Sequence, residues 1–322
     1  MNRNKLFLFI VLLLSFTQVG CKWLKKEQTT TKNEVKVERP VFIADSAYQY
    51  IAEQVAFGPR VSGTDAQKKC ADYLKQKLEQ FGAKVQVQEG TVTVYDGSKK
   101  PMYNIMGSFN PQAERRLLLL AHWDSRPFAD QGTVDTEKPI DGANDGASGV
   151  GVLLEIARQL QAKKPEIGVD ILFVDVEDYG KPEVQDSYAL GTQFWAKQAK
   201  NSGYTASNGI LLDMVGAGDA YFTFEGYSVQ YAGDFLKMVW GIAHQLGHGS
   251  YFSYTPTDMI TDDHYYVNTI AGVPTIDIIH KDMGSATGFW KHWHTQEDRL
   301  DKIDKKTLQV VGETVLATVY AY

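Results

Sequence analysis

The feature that most restricts the fold of this chain is a set of four short and nearly continuous apolar segments. They are RLLLL (116–120), VDILFV (169–174), GILLDM (209–214) and VPTIDII (273–279). A strand that is covered on both faces does not need to alternate apolar and polar residues, and such strands are typical of parallel sheets. Helical patterns lie between the segments. We therefore predict an α/β fold in which helices cover both faces of a central, mixed and mostly parallel twisted sheet.

The remaining apolar residues predict helices and outer strands. We expect helices at 64–82, 147–163, 187–200, 230–246 and 305–321. Thr64 can cap the first helix, and Gly82 can end it. Alternating apolar and polar residues at 84–88 and 91–95 predict two half-buried strands.

The N-terminal end has the composition of an export signal. Basic residues precede the apolar segment LFLFIVLLLSFTQVG (6–20), which is short for a membrane span, and Cys21 follows it. The Gly-Cys step resembles the lipoprotein signal of bacteria, in which the cysteine is lipidated and becomes the new N-terminus. An ordinary cleaved signal peptide over 1–21 is the alternative. Residues 22–40 are polar and lack apolar periodicity, so we expect a flexible tether.

Residues 41–322 are expected to form one domain. The chain has 322 residues and 43% hydrophobic content, which suffices for a large core. Its net charge of -6 and the lack of a long basic run argue against binding of nucleic acid. Apart from Cys21 the only cysteine is Cys70, so no disulfide framework is expected. We expect an exported monomer, in the periplasm or at the cell surface, that is attached to a membrane only through Cys21.

Acidic residues and histidines follow the central strands. They are His122, Asp124, Asp175, Glu177, Asp178 and Asp213. The loop DGANDGASG (141–149) adds Asp145, and the loop FWKHWHTQED (289–298) adds His292 and His294. Because the carboxyl ends of parallel strands meet at one edge of the sheet, we expect these side chains to converge there.

The crowding of carboxylates at this edge indicates a metal ion, because the acids repel one another unless a cation lies among them. Asp, Glu and His suit a catalytic zinc ion, which takes three protein ligands and keeps a fourth position open. Adjacent residues of a strand point in different directions, so one of Glu177 and Asp178 can bind the metal while the other acts as acid or base. For Asp175 we favour a structural role as an acceptor of backbone N–H groups. For Asp213 alone, a turn-forming role and a site role remain open.

Three other patterns receive no functional assignment. His244 and His248 have the spacing of a helical zinc pair, but no Glu follows His244 and Gly247 can end the helix, so we interpret both as surface residues. The glycines of GASGVG (146–151) are not followed by Lys-Ser or Lys-Thr, which argues against a nucleotide site. No serine lies in a G-x-S-x-G motif.

Eight segments follow one another along residues 45–322. They are FGPRVSGT, LLLLAHWDSRP, DGANDGASGVGVLLEIAR, ILFVDVED, DSYALGTQFWA, LLDMVGA, DDHYYVNTIAGVPTIDII and HWHTQEDRLDKID. In sequence and in order they resemble the glutaminyl-peptide cyclotransferases, or glutaminyl cyclases, of the zinc aminopeptidase superfamily, especially bacterial members of the animal type. Their shared order is far more specific than any single segment.

The resemblance implies roles for ten residues. The zinc ligands would be Asp145, Asp178 and His294. Glu177 would be the general acid/base, and Asp213 would be a hydrogen-bonding carboxylate of the catalytic network. The others would contact the substrate or support the site; they are Trp293, His122, Asp124, Asp262 and Asp263. Vertebrate members have Glu where Asp178 stands, a difference that changes the reach of the ligand but not its type.

The implied activity is that of an aminoacyltransferase. It cyclises N-terminal glutaminyl residues of peptides and proteins to pyroglutamate and releases ammonia, with one zinc ion per chain. A di-zinc aminopeptidase is the alternative, in which the residues matching His122 and Asp213 bind a second ion and the residue matching Asp145 bridges the two. A non-catalytic binding protein on the same fold is a third hypothesis, against which the complete set of ligands and base argues.

The two enzymes share most of their ligands, so the presence of His122 and Asp124 does not decide between them. Two features favour the cyclase. Trp293 directly precedes the histidine ligand, where the aminopeptidases tend to carry another aromatic residue. The segment HWDSRPFAD is the second feature.

Overall fold

A computed structural model of the chain describes residues 38–322. The predicted signal segment 1–21 with its Cys21, and residues 22–37 of the predicted tether, lie outside the described residues. Within 38–322, no helix combines the length and the apolar character needed to cross a membrane.

Helices and strands alternate along most of the described chain. The helices are α1 (Ala44–Val55), α2 (Asp65–Gln80), α3 (Ala147–Ala162), α4 (Leu190–Ser202), α5 (Gly226–Gln245), α6 (Asp263–Tyr266) and α7 (Lys305–Ala321). The strands are β1 (Lys84–Thr93), β2 (Lys99–Phe109), β3 (Arg116–His122), β4 (Gly168–Val174), β5 (Asn208–Asp213), β6 (Phe222–Phe224), β7 (Phe252–Pro256) and β8 (Thr275–Ile279). A π-helical turn, Val267–Ala271, follows α6, and a 3-10 turn, Leu300–Lys302, precedes α7.

Six strands form one sheet in the order β1-β2-β4-β3-β5-β8. The neighbours β4, β3, β5 and β8 are parallel, whereas the pairs β1–β2 and β2–β4 are antiparallel. The predicted mixed and mostly parallel sheet is therefore confirmed. Strands β6 and β7 form a separate two-stranded sheet.

The leucines of β3 show that both faces of this sheet are covered. Leu117 and Leu119 belong to the larger apolar cluster, which includes residues of α1, α2, α3, α5 and α7. Leu118 and Leu120 belong to a second cluster with Trp195 of α4. Each buried leucine stabilises the fold by about 1.5–3 kcal/mol relative to exposure, so the register of this strand is firmly set.

The predicted outer strands need correction. Segment 84–88 and residues 91–93 of the second segment form the single strand β1, because Gly90 interrupts the apolar alternation but not the hydrogen-bonded ladder. The sequence pattern predicts neither its partner β2 nor α1. In β2, charged residues, Pro101 and Gly107 are mixed with the apolar ones, so the period of two is lost.

Candidate active site

The ends of the central strands bring the predicted polar residues together. His122 is the last residue of β3 and pairs in register with Val174, the last residue of β4. Asp213 ends β5 beside Ile279 of β8. The turn after β4 brings Asp175, Glu177 and Asp178 to the same edge.

One group of donor atoms consists of Asp145, Asp178 and His294, whose ligand atoms all lie within 4.8 Å of one another. The His294 Nε2 atom is 3.0 Å from Asp178 Oδ1 and 3.7 Å from Asp145 Oδ2. All three residues are buried. The loop before α3, the turn after β4 and the loop before α7 therefore meet at one point.

A second group shares Asp145 with the first and adds His122 and Asp213. The His122 Nε2 atom is 3.0 Å from Asp145 Oδ1 and 3.2 Å from Asp213 Oδ1. Asp145 thus turns one carboxylate oxygen to each group. The imidazole of His122 itself lies between the two carboxylates of the second group.

The first group fits a zinc ion. The Oδ2 atoms of Asp145 and Asp178 are buried and have no hydrogen-bond partner among the described residues. Leaving a buried carboxylate oxygen unpaired is costly, and a cation removes that cost. Two carboxylates and one imidazole are the number and kind of protein ligands that catalytic zinc takes.

Burial changes the protonation of the residues around these groups. Burial raises the pKa of Glu177 well above its ordinary value, and repulsion from Asp178 acts in the same direction. Burial also raises the pKa of Asp213 to about 7, although the hydrogen bond with His122 opposes the shift. For His122 burial lowers the pKa, but the carboxylates around the ring outweigh it and the pKa is raised well above the ordinary value. This arrangement allows protons to be shared at and beside the donor atoms.

Asp124 fixes the backbone of the Glu177–Asp178 pair. Its two carboxylate oxygens accept hydrogen bonds from the N–H groups of Glu177, at 3.0 Å, and Asp178, at 3.1 Å. Asp175, in contrast, accepts the backbone N–H groups of Tyr103 and Val176. Its predicted structural role is confirmed.

Three residues that support the site are not predicted from the sequence. Buried Arg126 donates to the Asp178 carbonyl at 2.9 Å and to the Asp130 carboxylate at 2.6 Å. Asp130 in turn lies 3.2 Å from His294 Nδ1. Asp298 accepts the backbone N–H groups of Asn144 and Asp145. All three lie inside segments already quoted, but their type and spacing carry no signal of a supporting role.

Left-handed backbone occurs at or beside three of the predicted site residues. Val176, Met214 and His294 have φ values of 52°, 49° and 55°. Such angles are unusual for residues other than glycine, above all for β-branched valine, and cost on the order of 1–3 kcal/mol each. Each of the three is a site residue or directly adjoins one. Four other non-glycine residues in 38–322 also have positive φ, namely Asn110, Asp135, Asp186 and Ala189, so such strain is not confined to the site.

A cavity of about 350 Å³ opens onto the first donor group. Half-buried Glu177 lines it, beside an apolar wall that includes Ile279, Phe289 and Trp293. The Trp293 ring stacks on His294 with 3.7 Å between ring centroids. The cavity therefore combines metal-binding donors, a carboxylate without a ligand role and an apolar surface.

Asp262 connects this cavity to a second buried polar cluster. It lines the cavity and caps α6, where its carboxylate accepts the N–H of Asp263. Behind it, His264 lies 3.0 Å from Glu225 and 3.6 Å from Asp277. Both carboxylate oxygens of Asp263 lack a hydrogen-bond partner among the described residues.

The other histidines lie outside the donor groups. His244 contacts the Phe252 carbonyl and His248 contacts Glu313, each through Nε2. The ring of His292 packs on Trp290 at 4.9 Å between centroids. None of these three joins a cluster of metal-binding donors in residues 38–322.

Comparison with known proteins fits this geometry. The model of peptidase family M28 matches residues 104–319. The chain belongs to peptidase family M28. This M28 chain is 52% identical to a Zn-dependent exopeptidase from Parabacteroides distasonis, with a TM-score of 0.87 over 88% of this chain and 100% of that one. It is also 52% identical to the glutaminyl cyclase of Tannerella forsythia, with a TM-score of 0.86 and the same coverage.

A further solved structure is the glutaminyl cyclase of Bacteroides thetaiotaomicron bound to N-acetylhistamine. It is 47% identical and has a TM-score of 0.86 over 88% of this M28 chain and 100% of its own. The resemblance to glutaminyl cyclases on a zinc aminopeptidase-like fold, predicted from the sequence, is confirmed.

Proposed function

We propose that this M28 enzyme cyclises N-terminal glutaminyl residues of peptides and proteins to pyroglutamate with release of ammonia. The observation that carries the proposal is the cavity in which the free carboxylate of Glu177 opens beside the donor group of Asp145, Asp178 and His294. The similarity to bacterial glutaminyl cyclases over nearly the whole described domain supports it.

Asp145, Asp178 and His294 would hold one zinc ion. When bound, zinc supplies a Lewis acid that polarises the side-chain amide of the substrate glutamine. Arg126 and Asp130 hold Asp178 and the His294 ring in place from behind, which is the usual task of residues that surround metal ligands.

Glu177 would move the proton during ring closure. The α-amine of the substrate forms a bond to the δ-carbon of its own side chain, and the bond from that carbon to the amide nitrogen breaks. Glu177 takes a proton from the attacking amine and gives it to the departing nitrogen, which leaves as ammonia. Asp213 and Asp262 line the same cavity and would complete the proton network.

The apolar wall would favour cyclisation over hydrolysis. Both reacting groups belong to one residue, so the enzyme needs mainly to fix the folded conformation of that residue. A small cavity of about 350 Å³, walled by Ile279, Phe289 and Trp293, restricts both the substrate and the water around it.

Aminopeptidase activity is the second candidate, because the donor group of His122, Asp145 and Asp213 could hold a second metal ion. In the one-zinc enzyme, His122 instead stays within hydrogen-bonding distance of both carboxylates. Metal stoichiometry and activity, measured together, separate the two candidates.

The decisive experiment uses purified residues 22–322 and two substrates. Ammonia release from a Gln-initiated dipeptide is compared with amine release from a leucine anilide, and bound zinc is counted. Ammonia release with one zinc per chain supports the cyclase, and H122A should then keep its zinc. Leucine release with two ions per chain would replace the cyclase by the aminopeptidase, and H122A would lose one ion.

We further propose that residues 41–322 are one monomeric catalytic domain, exported by signal segment 1–21 and carried on tether 22–40 from a lipidated Cys21. Expression of the full chain in bacteria should place it in the membrane fraction, and C21A should move it out of that fraction. A wild-type chain that is found outside the membrane fraction would indicate an ordinary cleaved signal.

A further inference from the structure

Lys281 is a nearly buried lysine on the wall of the active-site cavity. It lies two residues after β8, is 9% exposed, and lines the cavity. Its backbone N–H donates to the Tyr221 carbonyl at 2.9 Å, so the start of the side chain is fixed. Lysines this buried are nearly always paired with a carboxylate.

No such partner contacts the Lys281 ammonium within residues 38–322. Asp258, Asp277 and Glu225 act on it only through their charge at a distance. The remaining charged side chains of the cavity wall, His294 apart, are all acidic: Asp145, Glu177, Asp178, Asp213, Asp258 and Asp262. Lys281 is therefore the one lysine or arginine side chain among the described residues of that wall, and it lacks an ion pair.

The Lys281 ammonium lies against an aromatic ring, in space that a glycine leaves open. It lies 4.3 Å from the centroid of the Phe289 ring. A Cβ atom at Gly288 would lie 3.0 Å from Nζ, and the φ of 76° at this position also favours glycine. The loop thus gives the cation room and an aromatic face, neither of which neutralises its charge.

The same aromatic surface leads to the proposed metal site. The Phe289 ring is 4.7 Å from the Trp293 ring, which stacks on His294 at 3.7 Å. The distance from the Lys281 ammonium to the His294 ring is therefore within the length of a short extended peptide, which covers about 3.5 Å per residue. Lys281 and the proposed metal site therefore lie along one wall of one cavity.

We propose that Lys281 binds a carboxylate of the substrate just beyond its N-terminal glutamine, and that the enzyme thereby prefers anionic peptides. The carboxylate is either the C-terminus of a dipeptide or the side chain of an acidic second residue. A charge-assisted hydrogen bond to it supplies the missing partner of the ammonium. This inference rests on the proposed cyclase function.

The test compares ammonia release from four peptides in two pairs. Gln-Gly with a free C-terminus is set against its amide, and Gln-Glu amide is set against Gln-Gln amide. We expect the wild type to prefer the anionic member of at least one pair by about tenfold in kcat/KM, mainly through KM, because one charged hydrogen bond is at stake. The pair that shows the preference identifies the source of the carboxylate.

The variants then assign this preference to Lys281. In K281M the preference should disappear while kcat/KM for Gln-Gln amide stays within about twofold, and K281R should retain it. The matched control is K291M, since Lys291 is exposed and lies outside the cavity lining.

The possible failures are distinguishable. Equal kcat/KM within both pairs in the wild type, or a preference that persists in K281M, overturns the inference and leaves the cyclase function intact. Absence of ammonia from all four peptides overturns the proposed function and this inference with it. If K281M does not fold, the wild-type preference must weaken as salt is raised, and a salt-independent preference counts against Lys281.

Discussion

At the residue scale, the adjacent carboxylates of Glu177 and Asp178 have different surroundings. Asp178 is buried against His294 and Arg126, whereas Glu177 opens into the cavity. The turn between β4 and this pair includes the left-handed Val176, and Asp124 holds both backbone N–H groups. One short segment can therefore supply a metal ligand and a proton carrier without either competing for the other's position.

The E177Q variant tests this division. The amide keeps the size and place of the side chain but cannot carry the proton, so we expect zinc content to stay at the wild-type level and turnover to fall by about 10²–10⁴-fold. Zinc analysis and ammonia release on the same sample check both parts. Near-normal turnover would remove Glu177 from the mechanism.

Arg126 offers a second test, because it forms ion pairs with Asp130 and with the proposed zinc ligand Asp178. R126M removes the buried guanidinium beside Asp130 and Asp178, which should destabilise the fold by about 3–5 kcal/mol and weaken zinc binding by about 10–100-fold. Denaturant unfolding and zinc titration measure the two effects. Arg299, 45% exposed in its ion pairs, is the control, and R299M should cost about 0–1 kcal/mol. Equal losses in both variants would contradict the role of Arg126.

The sequence predicts where the site lies but not all that supports it. Asp145, Glu177 and Asp178 stand out because acids that crowd after a buried strand or precede a buried helix repel one another unless a cation lies among them. For Asp213 alone, the sequence leaves a turn-forming role and a site role open. Asp298 does not stand out, because it acts through backbone N–H groups far away in the chain. A contact of this kind leaves no local pattern.

At the scale of helices and strands, the elements that are buried along most of their length are the ones that the sequence predicts best. Strands β3, β4, β5 and β8 are apolar along nearly their whole length because helices cover both faces, so the sequence locates them to within about two residues. Strand β2 lies between β1 and β4, yet only part of it is deeply buried, and its pattern is correspondingly mixed. Helix α1 buries only Ala47, Tyr50, Ile51 and Gln54, which gives a weak apolar stripe.

The start of α2 provides a prediction at this scale. The Thr64 side chain accepts the N–H of Gln67 at 3.2 Å, as the sequence suggests. T64A should lower the free energy of unfolding by about 1 kcal/mol, because a free N–H group is left at the helix end. The midpoint temperature of thermal unfolding should fall by about 2–4 °C, and T64S should restore it. No loss in T64A, or no recovery in T64S, would show that the cap contributes little.

At the scale of the whole molecule, the proposed zinc ion joins three segments that are distant in the chain. Asp145 precedes α3, Asp178 follows β4, and His294 lies in the loop before α7. Their carboxylates and imidazole meet only in the folded state, so zinc held there would bind the native protein far more tightly than the unfolded chain. Removal of the metal should therefore lower global stability as well as activity.

Chelation measures this coupling directly. The chelated protein should lose ammonia release and unfold at a lower temperature, and free zinc at about 100 times its Kd should restore about 2.7 kcal/mol of stability. H294A should abolish this zinc-dependent gain. H292A is the matched control, because His292 lies two residues away and belongs to no donor group in the described chain, so it should respond to zinc like the wild type. A zinc-dependent gain that survives in H294A would place the metal elsewhere, and the donor group of His122, Asp145 and Asp213 would then be the site to test.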